Sequence, residues 1–377
     1  MIPAGLSQWY DVAMCHSNVL IMILSIHLAL TAAAEERTLP DVSPRLVVAG
    51  QGFFPVGQLL RDGRVAVVMR GGAAHVGIKG RLDIVFSEDA GRTWSKPTVV
   101  NDSPVDDRNP AFGQAADGTL VVAFWRAAKD TYKDYAADRA DQPVGTWVTR
   151  SADGGLTWSA ATEIDVRDIG YGSPYGKILT LADGSMLMNV YGYAVRNPGV
   201  GPVLPKVDHS YLYRSTDGGR IWTRHGTIGN GFNETGLLQL QGGDLLAAMR
   251  SAGDRANVWV ARTADGGRTW GKPEEVTGAL AHPADLVRLL DGRVLMTCGV
   301  RAGPFGVRGL VGDAGGHFNW AERFTLVNDS TTADTGYPSS VVLTEGRVLT
   351  FYYAVGSKSH PDWGIHCGVT EYQPPAK

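Results

Sequence analysis

Short apolar runs broken by small, turn-forming pairs recur along this chain. Gln58–Val67 reads QLLRDGRVAV, Ile178–Leu187 reads ILTLADGSML and Val287–Met296 reads VRLLDGRVLM. An Asp-Gly pair between two apolar runs is a strong hairpin signal, because the glycine adopts the positive φ that a tight turn demands. Six such turns stand near Asp62, Asp117, Asp183, Gly242, Asp291 and Glu345. No stretch carries a convincing helical period. The pattern predicts β-hairpins throughout.

A second repeat alternates with the first. Ser87–Trp94, Ser151–Trp158, Ser215–Trp222 and Thr263–Trp270 share the form Ser/Thr-x-Asp-x-Gly-x-x-Trp, and Gly312–Trp320 is a degenerate copy. The aspartate can accept backbone N–H groups inside a tight turn, and the tryptophan supplies a large apolar plug beneath it. Each of the first five hairpin turns is followed by one of these boxes. Trp363–Tyr372 adds a strand after the sixth, and Leu46–Ala49 is placed to supply the missing outer strand and close a ring. A unit that recurs at this spacing suits a propeller blade. The expected fold is all-β, a six-bladed β-propeller, with residues 35–377 as a single domain.

Composition agrees. The 48 glycines and 10 tryptophans among 377 residues fit a turn-rich β protein. The net charge of −3 offers no basic stripe for nucleic acid. Val19–Leu30 is apolar but short for a membrane span, and Thr31–Ala34 supplies the small residues of a cleavage site. Residues 1–34 are therefore expected to be a signal peptide, with Met14 as an alternative start. The mature chain is expected to be secreted or periplasmic, without a membrane span, and to act as a monomer. Cys298 and Cys367 read as buried structural thiols, and no Cys/His spacing suggests zinc, so no metal or cofactor is expected. The acidic pairs Asp106-Asp107 and Glu274-Glu275 read as surface positions. The polar insertion Ala127–Pro143 reads as a long loop beside the site.

Hairpin geometry locates a site. Residues about eight positions before and after each turn must gather at the edge opposite the turns, around the central pore. Before the turns these are Phe54, Asn109, Tyr175, Glu234, Pro283 with its neighbour His282, and Tyr337. After them come Arg70, Arg126, Tyr191, Arg250, Arg301 and Tyr353. Several guanidinium groups on one face suit a carboxylate or another planar anion.

Boxes of this kind alternating with Asp-Gly hairpins resemble the sialidase superfamily. Asn233-Glu234 through Met249-Arg250-Ser251 resembles the segment in which a glutamate activates the catalytic tyrosine and an arginine binds the substrate carboxylate. Gly336-Tyr337-Pro338-Ser339 resembles the segment carrying that tyrosine. Arg301 resembles a second carboxylate-binding arginine, with Arg308 as its rival. The resemblance implies a Tyr337 nucleophile with Glu234 as its base. Such enzymes are exceptions to the two-carboxylate rule for glycosidases. An acidic-sugar glycan is the implied substrate.

Two parts of the family pattern are absent. Phe53-Phe54-Pro55 stands where an Arg-Ile-Pro segment would provide a third arginine, leaving Arg70 or Arg108 to substitute. The loop Gly71–Gly80, where the family carries its acidic proton donor, has no carboxylate, and His75 is the side chain there that titrates near neutrality. Three readings stay open. The first is a hydrolase of sialic acid or a related acidic sugar. The second is a uronate lyase, with Tyr337 or His282 as base. The third is a glycan-binding propeller without catalysis.

Overall fold

The computed structural model describes residues 36–40, 42–127, 145–195 and 206–376. The expected signal peptide and nearly all of the Ala127–Pro143 insertion lie outside the described residues. Strands form where the apolar runs stand, and their burial follows their place in the sheet. Val65–Gly71 and Leu120–Arg126, the second strands of their units, are buried on nearly every residue, whereas the outer Thr162–Glu163 and Glu274–Glu275 are exposed. A strand sandwiched between neighbouring sheets has no polar face, so it reads as a continuous apolar run.

Antiparallel meanders make up the architecture. Phe53–Leu59, Val65–Gly71, Arg81–Ser87 and Thr98–Asn101 form one four-stranded sheet from the inside outward. Two further four-stranded sheets are present, and a five-stranded one in which Arg37–Thr38 adds an outermost strand parallel to Phe324–Val327. An eight-stranded sheet forms where Asp107–Gln114 and Ser173–Thr180 pair in parallel through Gly176 and Ala111. The arrangement is a β-propeller, and no α-helix occurs among the described residues. None of their helices is long and apolar enough to cross a membrane.

Closure follows the expected route. Arg45–Ala49, near the start of the described chain, pairs antiparallel with Ile365–Tyr372 near its end. The core lies between sheets: Val56, Val68 and Ile84 pack on Phe112, Val122 and Phe124, while Val65, Val67 and Met69 pack on Val341, Leu349 and Phe351. Cys298 and Cys367 are buried free thiols, and burial pushes the Cys298 thiol up to about 12.

The Asp boxes hold the outer turns. Asp153 Oδ1 accepts from the backbone N–H groups of Leu156 and Thr157 at 3.1 and 2.9 Å, and Ser151 Oγ donates to it at 2.7 Å. In the degenerate copy Asp313 still accepts from the backbone N–H groups of Gly315 and His317. Trp222 alone among the four box tryptophans is fully buried; Trp94, Trp158 and Trp270 are only partly covered. The box glycines are not equivalent. Gly266 and Gly267 both have positive φ, but a Cβ on Gly266 would meet open space while one on Gly267 would lie 2.3 Å from the Leu212 side chain. Gly267→Ala should therefore cost about 1–3 kcal/mol more than Gly266→Ala, an overpacking penalty added to a shared backbone strain. Urea unfolding of the two variants measures the difference, and equal costs would show that backbone strain alone decides.

Candidate functional site

The side chains that face the hub are aimed there by irregularities at the starts of the inner strands. Pairing slips between Phe53 and Val56, between Arg108 and Ala111, and between Gly336 and Ser339. Each slip contains a residue followed by proline: Phe54-Pro55, Asn109-Pro110 and Tyr337-Pro338. Proline donates no N–H to the ladder, so the pairing breaks there and the strand bulges. Phe54, Asn109 and Tyr337 accordingly take φ of 54°, 51° and 48°. Similar slips accompany Glu234 and His282.

These bulges build one polar chain. The Tyr337 hydroxyl donates to Glu234 Oε1. Arg250 Nη1 donates to Glu234 Oε2 at 2.6 Å, and the Tyr191 hydroxyl approaches Oε1 at 3.4 Å. The Arg301 guanidinium lies 5.4 Å from the centre of the Tyr337 ring and donates to the Tyr353 hydroxyl at 3.4 Å. Phe54 packs against Tyr337 with ring centres 4.8 Å apart. Beside this chain opens a cleft of about 450 Å³ whose walls include Arg108, Trp125, Tyr171, Tyr191 and Tyr193.

Protonation states follow from burial and charge. Burial would raise the Glu234 carboxyl, but Arg250 and the Tyr337 hydrogen bond outweigh it and hold the group below the usual carboxylate range. Burial and the Glu234 charge push the Tyr337 phenol up, against the pull of Arg250 and Arg301. The resting proton therefore sits on the phenol, with an ionised acceptor in contact. Burial, with Arg250 and Arg301 nearby, pushes His282 down to about 3, so this imidazole is neutral. Arg250 Nε, Arg301 Nε and His282 Nδ1 are buried and make no hydrogen bond among the described residues.

The structure brings together Tyr337, Glu234, Arg250, Arg301 and His282, and it sets His75 one aromatic ring away, 5.0 Å from Phe54. Arg108 reaches the same face, its guanidinium 5.5 Å from the Phe54 ring and 5.6 Å from that of Trp125. Other expectations need correction. Arg70 is fully buried, bonded to Asp106 at 2.8 Å and to the carbonyls of Ala73 and Gly77, so it holds a loop and cannot meet a ligand. Arg308 is buried against Glu36 at 2.6 Å and the Val327 carbonyl at 2.7 Å, which leaves Arg301 as the arginine at Tyr337. Tyr175 commits its hydroxyl to the Ala284 carbonyl and offers its ring to Tyr337, so it is a supporting wall. Asp106 and Asp107 are not surface positions. Both are fully buried, Asp106 by Arg70 and Asp107 by Arg126, Asn101 and Ser103.

Asp334 was not foreseen. It accepts from the Tyr353 hydroxyl at 2.6 Å and lies 2.7 Å from His75 Nδ1. Its position three residues before Tyr337 was the available signal. Among the described residues no three His, Cys, Asp or Glu side chains gather as a metal site.

Comparison with known proteins places this geometry in a family. Residues 66–350 match the BNR repeat-like domain, and the chain belongs to that family. Within it, the chain is a member of the sialidase superfamily. A sialidase of Bacteroides fragilis is 26% identical over 246 residues, covering 58% of this chain and 42% of that protein, so the match spans less than half of the relative's length. A Dyadobacter fermentans protein of unknown function superposes with a TM-score of 0.74 at 24% identity, covering 88% of this chain and 99% of that one. The NanB sialidase of Streptococcus pneumoniae superposes at 0.64 with 13% identity, covering 86% of this chain and 68% of that one. At these identities the superpositions establish the fold.

The buried Arg70–Asp106 pair yields a stability test that leaves the tyrosine cluster intact. Arg70→Met deprives a buried carboxylate of its principal counter-ion and should lower stability by about 3–5 kcal/mol. Chemical unfolding measures the loss, and a cost within 0.5 kcal/mol or so of zero, typical of a surface change, would refute the pairing.

Proposed function

We propose that this protein is an exo-acting, retaining glycoside hydrolase of the sialidase type. Its substrate would be a glycoside of sialic acid or a related acidic sugar. The observation that carries the reading is the buried contact between the Tyr337 hydroxyl and Glu234, itself anchored by Arg250. A sugar bearing a carboxylate at its anomeric carbon repels a carboxylate nucleophile, whereas a neutral phenol is not repelled. Phenol is a weak nucleophile at its ordinary pKa near 10, so it needs a base in contact as it attacks. Glu234 meets that need because it is ionised and within hydrogen-bond reach.

Arg250 and Arg301 would bind the substrate carboxylate, with Arg108, 5.5 Å from the Phe54 ring, as the third guanidinium. The buried Nε–H groups of Arg250 and Arg301, which make no hydrogen bond among the described residues, are donors of the kind that a carboxylate satisfies. The aromatic walls of the neighbouring cleft suit the apolar faces of a sugar. The eight-stranded sheet, read as two blades joined at their inner strands, supports a ring of six blades, matching the six Asp-Gly-type turns. The groups named belong to one chain, which is consistent with a monomer, and the apolar run Val19–Leu30 favours action outside the cytoplasm.

The test is turnover of the purified full chain on sialosides, other acidic ulosonic glycosides and uronate polymers. Tyr337→Phe should abolish hydrolysis, and Glu234→Gln should reduce kcat by about 10²–10⁴-fold. Arg301→Ala should weaken substrate binding by about 1.5–3 kcal/mol, roughly 10- to 150-fold. Because Arg250 and Tyr337 hold Glu234 below the usual carboxylate range, the acid limb of kcat/KM governed by this base should lie at lower pH than an ordinary glutamate would give, and a pH profile of wild type measures it. Full activity of Tyr337→Phe would refute the nucleophile, and an unsaturated product absorbing in the near ultraviolet would identify a lyase instead.

A further inference from the structure

The loop Gly71–Gly80 carries no carboxylate, yet it is built to hold one side chain in place. Arg70 reaches up from the strand below and donates to the carbonyls of Ala73, Ala74 and Gly77, while its own charge is met by Asp106. The loop therefore rests on a buried ionic clamp. At its crest His75 packs edge-on against Phe54 and Phe53, with ring centres 5.0 and 5.6 Å away. Phe54 in turn touches the Tyr337 ring.

The partner of His75 comes from elsewhere in the ring. Asp334 immediately precedes the strand Thr335–Val342, which carries Tyr337, and its Oδ1 lies 2.7 Å from His75 Nδ1. The Tyr353 hydroxyl donates to the same oxygen at 2.6 Å, and Arg301 donates to that hydroxyl. Burial would raise the Asp334 carboxyl, but the hydrogen bonds from His75 and Tyr353 outweigh it and keep the group ionised. The groups facing the imidazole are thus Asp334 and Tyr353, with the Arg301 charge behind them, the two phenylalanine rings, and the Arg70 clamp under its own loop. His75 Nε2 makes no hydrogen bond among the described residues, and the side chain is 31% exposed, so a proton on it can reach a ligand.

We propose that His75, held and charge-compensated by Asp334, is the proton donor to the departing glycosidic oxygen. The proposal rests on the hydrolase reading and supplies the acid that its first step requires. As Tyr337 Oη bonds the anomeric carbon, the glycosidic C–O bond breaks; the phenolic proton passes to Glu234, and the imidazolium Nε2–H proton passes to the leaving oxygen. In the second step water gives a proton to neutral His75, its oxygen bonds the anomeric carbon, and the bond to Tyr337 breaks. The released phenolate recovers its proton from Glu234. Asp334 acts through His75, as a positioning residue, by fixing Nδ1 as donor and directing Nε2 outward.

Two glycosides of one acidic sugar separate the possibilities: an activated aryl glycoside, whose phenol leaves without help, and a sugar-linked glycoside, whose alkoxide does not. His75→Ala should lower kcat/KM on the sugar-linked substrate by about 10²-fold or more, with only a few-fold loss on the aryl substrate. His75→Gln, which keeps polarity and bulk, should show the same split, and thermal unfolding of both variants reports on folding. Asp334→Asn, which leaves the imidazole present but less firmly held, should show the same leaving-group-dependent split as His75→Ala in smaller degree, in kcat rather than KM, and Asp334→Glu should restore part of it. Equal losses on both substrates, no loss, or an Asp334→Asn loss that is the same for both leaving groups would overturn the dyad while Tyr337→Phe still abolished turnover. If the wild-type protein cleaved neither glycoside, or Tyr337→Phe kept its activity, the hydrolase reading would fall and the dyad with it.

Discussion

Glu234 is the buried charge around which the hub is organised. A carboxylate at that depth is costly unless it is paired and hydrogen-bonded. Here Arg250 and Tyr337 supply the pairing, with Tyr191 nearby. The same contacts that make the charge tolerable set up reactivity. Arg250 keeps the carboxyl ionised, and the ionised carboxylate keeps the phenol protonated until something attacks or is attacked. Removing any member disturbs the other two, so this triad is one unit rather than three independent contributions.

The propeller delivers these groups to one point by a repeated local device. An inner strand that begins with a residue-proline pair cannot continue its ladder, and the interrupted residue turns toward the axis. Tyr337, Asn109 and Phe54 are presented in this way from three different sheets, each at positive φ. Such backbone costs of order 1–3 kcal/mol per residue, tolerable only in a surrounding structure that over-determines it. Here that structure is a closed ring with apolar cores between its sheets and a terminal strand pair sealing it.

Much of this was legible in the order of residues. The Asp-Gly turns and Asp boxes specify hairpins locally, through φ preferences and short-range hydrogen bonds, and their recurrence specifies a ring. Counting outward from each turn then predicts which residues share the pore edge, and Tyr337, Glu234, Arg250, Arg301 and Tyr353 do share it. The errors arose where burial by a neighbouring sheet decides the outcome. Asp106 and Asp107 look like a solvated acidic pair, but Arg70 and Arg126 cover them. Arg70 and Arg308 look like anion ligands, but each is committed to a carboxylate and backbone carbonyls. Asp334 carries no motif at all, and its meaning depends on a histidine 259 positions away.

By itself, then, the chain's pattern determined the class of fold, the closure of its ends and the edge at which a site must lie, because turns and strand periodicity act over a few residues. Only the tertiary structure decided which charges are spent internally and which face a ligand. That decision depends on distances between segments far apart in sequence and on the desolvation each side chain meets when neighbouring sheets close over it, and neither quantity is encoded in any local run of residues.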